Sequence, residues 1–356
     1  MRPSPIKPDK KNIPIVRIAV VGVGGGGGNA ISRMSDDFVR GVEFVAVNTD
    51  AQDLEHCSAK TRIHIGESLT RGMGTGMNPD IGRQAAEENR AQIAEALKGS
   101  DLVFLTAGMG GGTGTGATPV IAEISREVGA LTVAIVTKPF LFEGSQRMRI
   151  AEEGILRLKD RVDALITIPN DRIFNIIGAD TPVMKAFLRI DDVLKNTVRG
   201  ISEIIASAGL VNVDFADVKA IMQGAGLALT GVGQASGKDR ALKAASQAVN
   251  SPLLEFSIEG AQGVLFGISG GHDITMSEIN DAAKFITETV DPSAKIIFGT
   301  YFDRKIKAGQ FKVTLIATGF HGSAASSASL PAASLFPVAP SAEPARSSAP
   351  EGVRNL

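Results

Sequence analysis

The sequence predicts an α/β protein with a doubly wound parallel sheet, a long central helix and a smaller α+β domain. Short, continuously apolar runs alternate with amphipathic stretches from Val16 to about Pro169, which is typical of parallel strands covered by helices on both faces. A segment from Thr181 to Ala208 then carries a broad apolar stripe at helical spacing. After Gly209 the alternation changes, which favours a second, mixed domain.

The first half is predicted to contain strands that are runs of apolar and β-branched residues, and helices with one apolar face. Pro79 and Pro119 are placed at helix starts, where a missing N–H loses no hydrogen bond. The strands are Val16–Val21, Val42–Val47, Leu102–Thr106, Leu131–Thr137 and Ala164–Ile168, and the helices lie near Asn29–Ser35, Pro79–Leu97, Thr118–Val128 and Ser145–Leu158.

The segment from Thr181 to Ala208 predicts one helix that joins two domains. At ~1.5 Å per residue it would span roughly 40 Å. Its apolar surface is broad enough to predict burial between two layers. The stripe contains Phe187, Ile190, Leu194, Val198, Ile201 and Ile205, and Val183, Val193 and Ile204 widen it.

The second half alternates helices and strands less regularly. Lys305–Gln310 is predicted to be the turn of an antiparallel hairpin that joins the last two strands. The predicted helices lie near Phe215–Met222, Lys238–Val249 and Thr275–Thr289, and the predicted strands are Gly263–Ile268, Lys295–Thr300 and Phe311–Thr318.

These elements divide the chain into five segments. Residues 1–13 form a flexible basic arm, 14–180 a nucleotide-binding domain, 181–208 the central helix and 209–320 the α+β domain. Residues 321–356 are rich in Ala, Ser and Pro and lack periodic apolar residues, which predicts a disordered tail.

Composition excludes several function classes. The formal net charge of -1 argues against nucleic acid as the main partner, because neutralising phosphates needs a basic excess. The chain has no run of about 18 apolar residues, so we expect no direct insertion into a membrane. Cys57 is the single cysteine; it excludes an internal disulfide, fits a reducing cytoplasm and is expected to be inert.

Three glycine-rich segments predict a site for phosphate groups. Residues 22–29 (GVGGGGGN) and 107–116 (AGMGGGTGTG) each follow a predicted strand and open a helix, and residues 72–79 (GMGTGMNP) add a third loop. Backbone N–H groups at a helix start can surround an anion. Because the carboxyl ends of parallel strands share one edge of the sheet, two such loops suit a di- or triphosphate.

The long glycine loops lack the Lys-Ser/Thr pair of a P-loop. The phosphate charge must therefore be met mostly by backbone dipoles and a metal ion. The hydroxyls of Thr113 and Thr115 can add hydrogen bonds. Mg²⁺ usually binds phosphates directly and keeps several waters, so the sequence requires no metal cage of its own.

The motifs resemble those of the tubulin/FtsZ family of GTPases. GGGTGTG at 110–116 is similar to the tubulin-family signature. GVGGGGGN at 22–29, AVNTD at 46–50, TKPFLFEG at 137–144, TIPND at 167–171 and NVDFADV at 212–218 are similar to FtsZ motifs, in the family's order. The resemblance covers about residues 14 to 320. It implies a cytoplasmic GTPase that forms head-to-tail homopolymers and assembles at the division site.

The resemblance also implies which residues bind GTP or GDP. Glu143 and Arg147 would contact the ribose, although an i,i+4 surface pair is an alternative on spacing alone. Asn170 and Asp192 would read guanine, and Phe187 would stack on the base or, equally on periodicity, belong to the helix core. The phosphates and their surroundings would be held by Gly25, Gly26, Asn29, Asn48, Asp50, Gly74, Gly108, Gly110, Gly111, Gly112, Thr113, Gly114, Thr115 and Gly116.

One departure lies beside the base. The family usually has Asn-Asp before Val-Leu, whereas this chain has Asp191 and Asp192. Asp192 still matches the family's pattern, and the additional carboxylate at 191 alters the expected contacts around the base.

Asp214 and Asp217, with Asn212, are the catalytic candidates that the resemblance implies. They would act on the GTP of the next subunit, positioning water and helping to hold a monovalent cation at the interface. On spacing alone, helix capping is the alternative, since Asp is favoured at N-caps and in first turns.

Three alternatives remain open at this stage. A Rossmann dehydrogenase needs one glycine turn and an acidic residue about 20 residues on, and Asp50 lies near that spacing, but the second glycine loop then has no role. A GTP-binding scaffold without turnover is another, against which Asp214 and Asp217 argue. Because the chain ends PEGVRNL, without an evident docking peptide for membrane-anchoring division proteins, it could also be a tail-less paralogue that co-assembles with a full-length FtsZ.

Overall fold

A computed structural model of the chain describes residues 16–34, 41–178, 180–206, 209–303 and 306–320. The predicted basic arm and the predicted disordered tail lie outside the described residues. The described part confirms the α/β fold class, with a parallel half, a long helix and a mixed second half.

The strands and helices are as follows. The strands are β1 (Ile18–Val23), β2 (Val42–Asn48), β3 (Thr61–His64), β4 (Leu102–Gly108), β5 (Leu131–Lys138), β6 (Ala164–Pro169), β7 (Gly209–Val211), β8 (Gly226–Ser236), β9 (Gly263–Gly270), β10 (Lys295–Phe302) and β11 (Gln310–Thr318). The helices are α1 (Gly24–Met34), α2 (Ala51–His56), α3 (Glu67–Thr70), α4 (Pro79–Glu88), α5 (Arg90–Leu97), α6 (Thr113–Glu127), α7 (Ser145–Lys159), α8 (Val183–Ala206), α9 (Phe215–Met222), α10 (Arg240–Val249) and α11 (Met276–Thr289).

One sheet runs through both halves in the order β3-β2-β1-β4-β5-β6-β8-β11-β9-β10-β7. The strands from β3 to β6 are all parallel, which places their carboxyl ends at one edge. A short parallel pairing of Ala164–Ile166 with Gly226–Ala228 connects β6 to β8. Beyond it, β11 runs antiparallel to both β8 and β9.

Alternate residues of the strands supply two cores on opposite faces of the sheet. In β1, Val20 faces a core shared with α1, α8 and α9, whereas Val21 faces a core covered by α4 to α7. The second half has its own core between its strands and the helices α10 and α11. The parallel half is thus doubly wound, as predicted.

Helix α8 packs along the sheet face against apolar residues of both halves. Ile190, Leu194, Val198 and Ile201 of the predicted stripe are buried. The prediction is wrong for Val183, which is 70% exposed, because the buried residues of α8 begin only at Ala186.

The predicted hairpin of the last two strands is wrong. Strand β9 lies between β10 and β11, parallel to the first and antiparallel to the second, so β10 and β11 do not pair. A pattern in sequence cannot reveal a third strand inserted between two neighbours along the chain.

Strand β8 was missed because Gly231 and Gly233 interrupt its apolar pattern. A Cβ carbon at Gly231 would overlap the carbonyl oxygen of Ala248, and one at Gly233 would overlap that of Ala244. The glycines therefore allow α10 to lie directly on the strand.

Two further predictions of helix bounds are wrong, and several short elements were missed. Helix α6 begins at Thr113 instead of Thr118, so Pro119 lies inside it rather than at its start. The single helix predicted over Pro79–Leu97 is two helices that meet at Asn89. The short elements α2, β3, α3 and β7 were not predicted.

Candidate functional site

Two helix N-termini meet at the carboxyl edge of the parallel sheet. Strands β1 and β4 are direct neighbours, and each leads into a glycine-rich helix start. Helix α1 begins within the glycine run, at Gly24, and α6 begins at Thr113. The first N–H groups of a helix have no partner inside it and carry partial positive charge, so this edge favours an anion.

The first two glycine loops touch through their backbones. A Cβ carbon on Gly26 would lie 3.3 Å from the Gly108 nitrogen, and one on Gly24 would lie 3.0 Å from the Gly114 nitrogen. Gly24 also has a φ of +69°, in the left-handed region that favours glycine. The loops can approach this closely only because neither has side chains there, and the result is a cradle lined by main chain.

The third loop closes one side of this cradle. A Cβ carbon on Gly112 would overlap the Thr75 hydroxyl, and one on Gly116 would overlap the carbonyl oxygen of Pro79. The Thr113 hydroxyl joins the segments, because its oxygen lies 2.6 Å from that of Thr49 and 3.3 Å from that of Thr75. Loops distant in sequence are therefore locked together.

The hydroxyl of Thr115 already has a partner. It accepts the Gly110 N–H at 2.9 Å, and Thr115 is 3% exposed. Gly111, in contrast, is half-buried, and a Cβ carbon there would meet no atom within 4 Å. The accessible space of the second loop is thus at Gly111.

Asn48 and Asp50 brace the neighbouring helix. The Asp50 carboxylate caps α2 by accepting the N–H groups of Gln52 and Asp53 at 3.0 and 3.1 Å. Asn48 is 5% exposed and accepts the Asp50 N–H at 3.3 Å. A Cβ carbon on Gly74 would lie 3.7 Å from the Asp50 carboxylate, so Asp50 also lies beside the third loop.

Sequence reasoning missed Asp53. A Cβ carbon on Gly25 would lie 2.9 Å from its carboxylate, which therefore sits beside the first glycine loop. Asn29 is exposed on α1. Together with Asp53 it lines a cleft between α1 and α2. The position of Asp53 in the first turn of a helix gave no functional signal, because acidic residues are common there.

The predicted ribose and guanine residues include buried polar atoms without partners. Asn170 is 8% exposed, and its Oδ1 atom has no hydrogen-bond partner among the described residues. The same holds for the Nε atom of Arg147 within the described ranges. Buried polar groups are almost always paired, so these two atoms are available to hydrogen-bond a ligand or water.

Glu143 and Arg147 form the i,i+4 ion pair, with 2.9 Å between the charged atoms. The Glu143 carboxylate also accepts the Phe140 N–H at 2.8 Å. The alkyl stem of Arg147 packs on Gly110, since a Cβ carbon there would lie 2.8 Å from it. The pair thus borders the second glycine loop. Its geometry is that of an i,i+4 surface pair, so contact with the ribose stays a prediction.

Aromatic rings cluster at the start of α8. The Phe187 ring meets the Phe140 ring edge-on at 5.6 Å, and Phe187 is 40% exposed. Phe140 also stacks on Phe142 with 4.7 Å between ring centroids. Phe187 is therefore partly exposed beside Phe140 and is not a fully buried core residue. Burial raises the pKa of the Asp171 carboxyl. The hydrogen bond that this carboxyl accepts from the Leu141 N–H acts in the opposite direction but does not cancel the effect.

The two neighbouring acids on α8 point in different directions. Asp191 is the more buried, with a side chain 14% exposed that pairs with Arg33 of α1. Asp192 has a side chain 54% exposed and pairs with Arg189 of its own helix at 3.7 Å. Residues four apart share a helix face, so Asp191 and Phe187 lie together and Asp192 is turned away.

The predicted catalytic pair lies at the N-terminal end of α9, a helix that contacts β5, β9 and β10. Asp214 stands at the N-cap position of α9 but makes no capping hydrogen bond through its side chain. In the part of the chain that the structure describes, neither Asp214 nor Asp217 forms an ion pair or a side-chain hydrogen bond, and both are exposed. Asn212 accepts the Gly209 N–H at 2.7 Å and so stabilises the turn before them.

Two family descriptions match separate parts of the chain. "Tubulin/FtsZ family, GTPase domain" matches residues 17–178, and "FtsZ family, C-terminal domain" matches residues 226–321. A solved FtsZ from M. jannaschii, described as an empty dimer, is 46% identical, with a TM-score of 0.82. The similarity covers 86% of this chain and 89% of that one. The chain belongs to the FtsZ family.

Two more distant structures share the fold of this FtsZ-family chain. CetZ2 from Haloferax volcanii, described as a GTPγS-bound protofilament, is 21% identical, with a TM-score of 0.74. The similarity covers 85% of this chain and 92% of the CetZ2 chain. CetZ1 from the same organism, described as a GDP-bound monomer, is 22% identical, with a TM-score of 0.73. The similarity covers 85% of this chain and 94% of the CetZ1 chain.

Membership of the FtsZ family makes the chain a GTPase-family protein with a GTP/GDP site, and it removes the dehydrogenase alternative. The cradle and the orphaned atoms of Asn170 and Arg147 fit a nucleotide. No helix in the described ranges is both long enough and apolar enough to cross a membrane.

Proposed function

We propose that the chain is a GTP-dependent, head-to-tail filament former of the cell-division type, and that each GTP is hydrolysed between two subunits. The observation that carries this proposal is the separation of its two half-sites. The glycine cradle lies at the carboxyl edge of the parallel sheet, whereas the exposed Asp214 and Asp217 lie on α9, whose C-terminal residues line a cleft at the start of β5; among the described residues neither acid has an ion-pair partner.

The position of α9 supports this separation. Lys219 and Gln223 of α9 line a cleft with Leu131, at the first residue of β5. The carboxylate of Asp163, which precedes β6, accepts the Gly224 N–H at 3.4 Å. Strand β5 has 8 residues. At ~3.3 Å per residue the two ends of β5 are roughly 26 Å apart, so the C-terminal end of α9 meets the sheet far from the cradle. This supports a site in which the acids of α9 act on the nucleotide of another copy.

A second copy can supply the missing half. Copies that join opposite faces form a heterologous contact, which gives an open filament when the rotation does not close a ring. Asp214 and Asp217 of one copy would then position the attacking water at the γ-phosphate of the next. They would also help to hold a monovalent cation at that interface.

Guanine recognition is proposed for Asn170 and Asp191. A carboxylate can accept from both the ring N–H and the exocyclic amine of guanine, and Asp191 is on the Phe187 side of α8. Asp192 was the expected residue, but its exposure and its pairing with Arg189 support Asp191 instead. Glu143 and Arg147 would contact the ribose.

The phosphates would be held by the main chain of residues 24–26 and 108–116. No Lys or Arg occurs in the three glycine loops, so helix dipoles must be supplemented by a cation. When bound, Mg²⁺ would neutralise phosphate charge through direct and water-mediated contacts. Asp53, beside Gly25, is the carboxylate best placed to orient water around it.

The domain division follows the same logic. We propose a GTP-binding domain over 14–180, the central helix over 181–208 and a C-terminal domain over 209–320. The two family matches at 17–178 and 226–321 support these boundaries. A role as a paralogue that co-assembles with a full-length FtsZ remains compatible with the same filament chemistry.

The decisive experiment measures phosphate release per molecule across a wide range of protein concentration, with light scattering in parallel. Turnover should rise steeply above the concentration at which filaments form. An unchanged rate per molecule far below that concentration would disprove the shared site.

A further inference from the structure

Three interactions join an irregular segment of the second half to the GTP-binding half. The segment is Ser251–Phe256, between α10 and β9. Its Glu255 carboxylate pairs through Oε1 with Lys138, and its Oε2 accepts the Thr167 hydroxyl at 2.6 Å. The Glu255 carbonyl oxygen accepts from Arg172 at 3.3 Å.

These contacts are made at the carboxyl ends of two neighbouring strands. Lys138 is the last residue of β5, and Thr167 lies in β6, paired in register with Val136. One carboxylate therefore spans the two strands that lead into the base and ribose region.

The chain that follows each strand end carries the proposed ligand contacts. Phe140, two residues after Lys138, donates its N–H to Glu143 and packs against the Phe187 ring. Asn170, three residues after Thr167, holds the orphaned Oδ1 atom. A shift of either strand end would move these groups together.

Apolar packing strengthens the same connection. Leu253, from the same segment as Glu255, packs against a small buried cluster of Phe140, Ile173 and Ile190. Ile190 belongs to α8 and neighbours Asp191. The segment therefore touches β5, β6 and α8 at the point where the proposed base contacts converge.

We propose that Glu255 is a positioning residue for the base and ribose subsite, supplied by the C-terminal half of the same chain. It rests on the proposed GTP site. Glu255 does not touch the nucleotide; it fixes the relative position of Phe140, Glu143 and Asn170. The phosphate cradle, built by β1, β4 and the loop at 72–79, does not depend on it.

The test compares two probes, GDP and inorganic pyrophosphate, by calorimetry on the full chain. Glu255→Ala should raise the dissociation constant of GDP about tenfold or more and leave that of pyrophosphate unchanged. Glu255→Gln keeps an acceptor for Thr167 but loses the charge, so it should recover part of the GDP affinity. Glu259→Ala, an exposed glutamate of the same half, is the matched control and should change neither value.

Lys138→Met breaks the same ion pair from the other side and should also weaken GDP alone, so it decides the matter if Glu255→Ala does not fold. Parallel weakening of GDP and pyrophosphate would indicate a general structural role and overturn the proposal, as would wild-type GDP affinity in Glu255→Ala and Lys138→Met. Failure of the wild-type chain to bind GDP would instead overturn the GTP site itself.

Discussion

Arg33 of α1 pairs with Asp191 of α8, and this contact joins the helix that carries the first glycine loop to the central helix. Arg33 lies in the last turn of α1. Asp191 lies four residues after Phe187 on α8, so the two residues share a face of that helix. The carboxylate that departs from the family pattern is therefore fixed by an ion pair on the same face of α8 as Phe187.

The first prediction concerns base specificity. Asp191→Asn should weaken GDP binding about tenfold and reduce its advantage over inosine diphosphate, which lacks the exocyclic amine, because one acceptor is replaced by a donor. Asp192→Asn is the matched control and should leave the preference unchanged. Competition binding measures both. The reverse pattern would return the guanine role to Asp192.

The second prediction concerns charge in the cradle. Gly111→Ala should bind GDP normally, because a Cβ carbon there meets no neighbour within 4 Å. Gly111→Asp places its Cβ carbon in the same open space but brings a negative charge against the phosphates. Like charges a few ångströms apart should oppose binding by about 3 kcal/mol, or more than 100-fold. Equal GDP affinity in the two variants, with equal melting temperatures, would place the phosphates elsewhere.

The third prediction uses two inactive variants that lack different half-sites. Asp217→Ala should bind GTP but lose at least about 100-fold in turnover, an effect of the size seen for lost catalytic groups. Gly111→Asp should be inactive because it does not hold GTP. Mixing them should restore turnover, since a Gly111→Asp copy can present its intact acids to the GTP of an Asp217→Ala copy.

Phosphate release from the mixture, against each variant alone at the same total concentration, measures this effect. Asp281→Ala, an exposed aspartate on α11, is the control and should keep full activity alone. A mixture no more active than its parts would argue that each copy uses its own acids.

The fourth prediction concerns pH and stability in the second half. Arg240, with a side chain 8% exposed, pairs with Glu278 at 2.6 Å and lowers the pKa of that carboxyl to about 2. A depressed pKa means that Glu278 stabilises the fold fully above its unfolded value of 4.5 and loses this contribution as pH falls toward 2.

Glu278→Gln should therefore lower the free energy of unfolding by about 2 kcal/mol at pH 7. The difference from wild type should persist down to about pH 4.5 and shrink below it. Denaturant unfolding at several pH values measures this. Glu288→Gln, which removes only an exposed pair with Lys284, should cost under ~0.5 kcal/mol at every pH.

Much of the fold is visible in local sequence. Helix α9 has the predicted bounds, Phe215–Met222, because its apolar spacing and its preceding acid are local signals. The glycine loops were also evident, since a strand, a glycine run and a helix start follow one another along the chain. The loops thus predict an anion site from local sequence, and the phosphate contacts themselves stay a prediction.

Sequence alone determined the strands of the parallel half, the central helix, the glycine-rich loops and the family motifs, because each depends on residues close together in the chain. Tertiary structure decided the rest. It placed β9 between β10 and β11, turned Asp191 toward Arg33 and brought Glu255 to Lys138 from 117 residues away. Such contacts depend on how whole elements pack, and a side chain's residue type does not reveal which distant partner that packing brings to it.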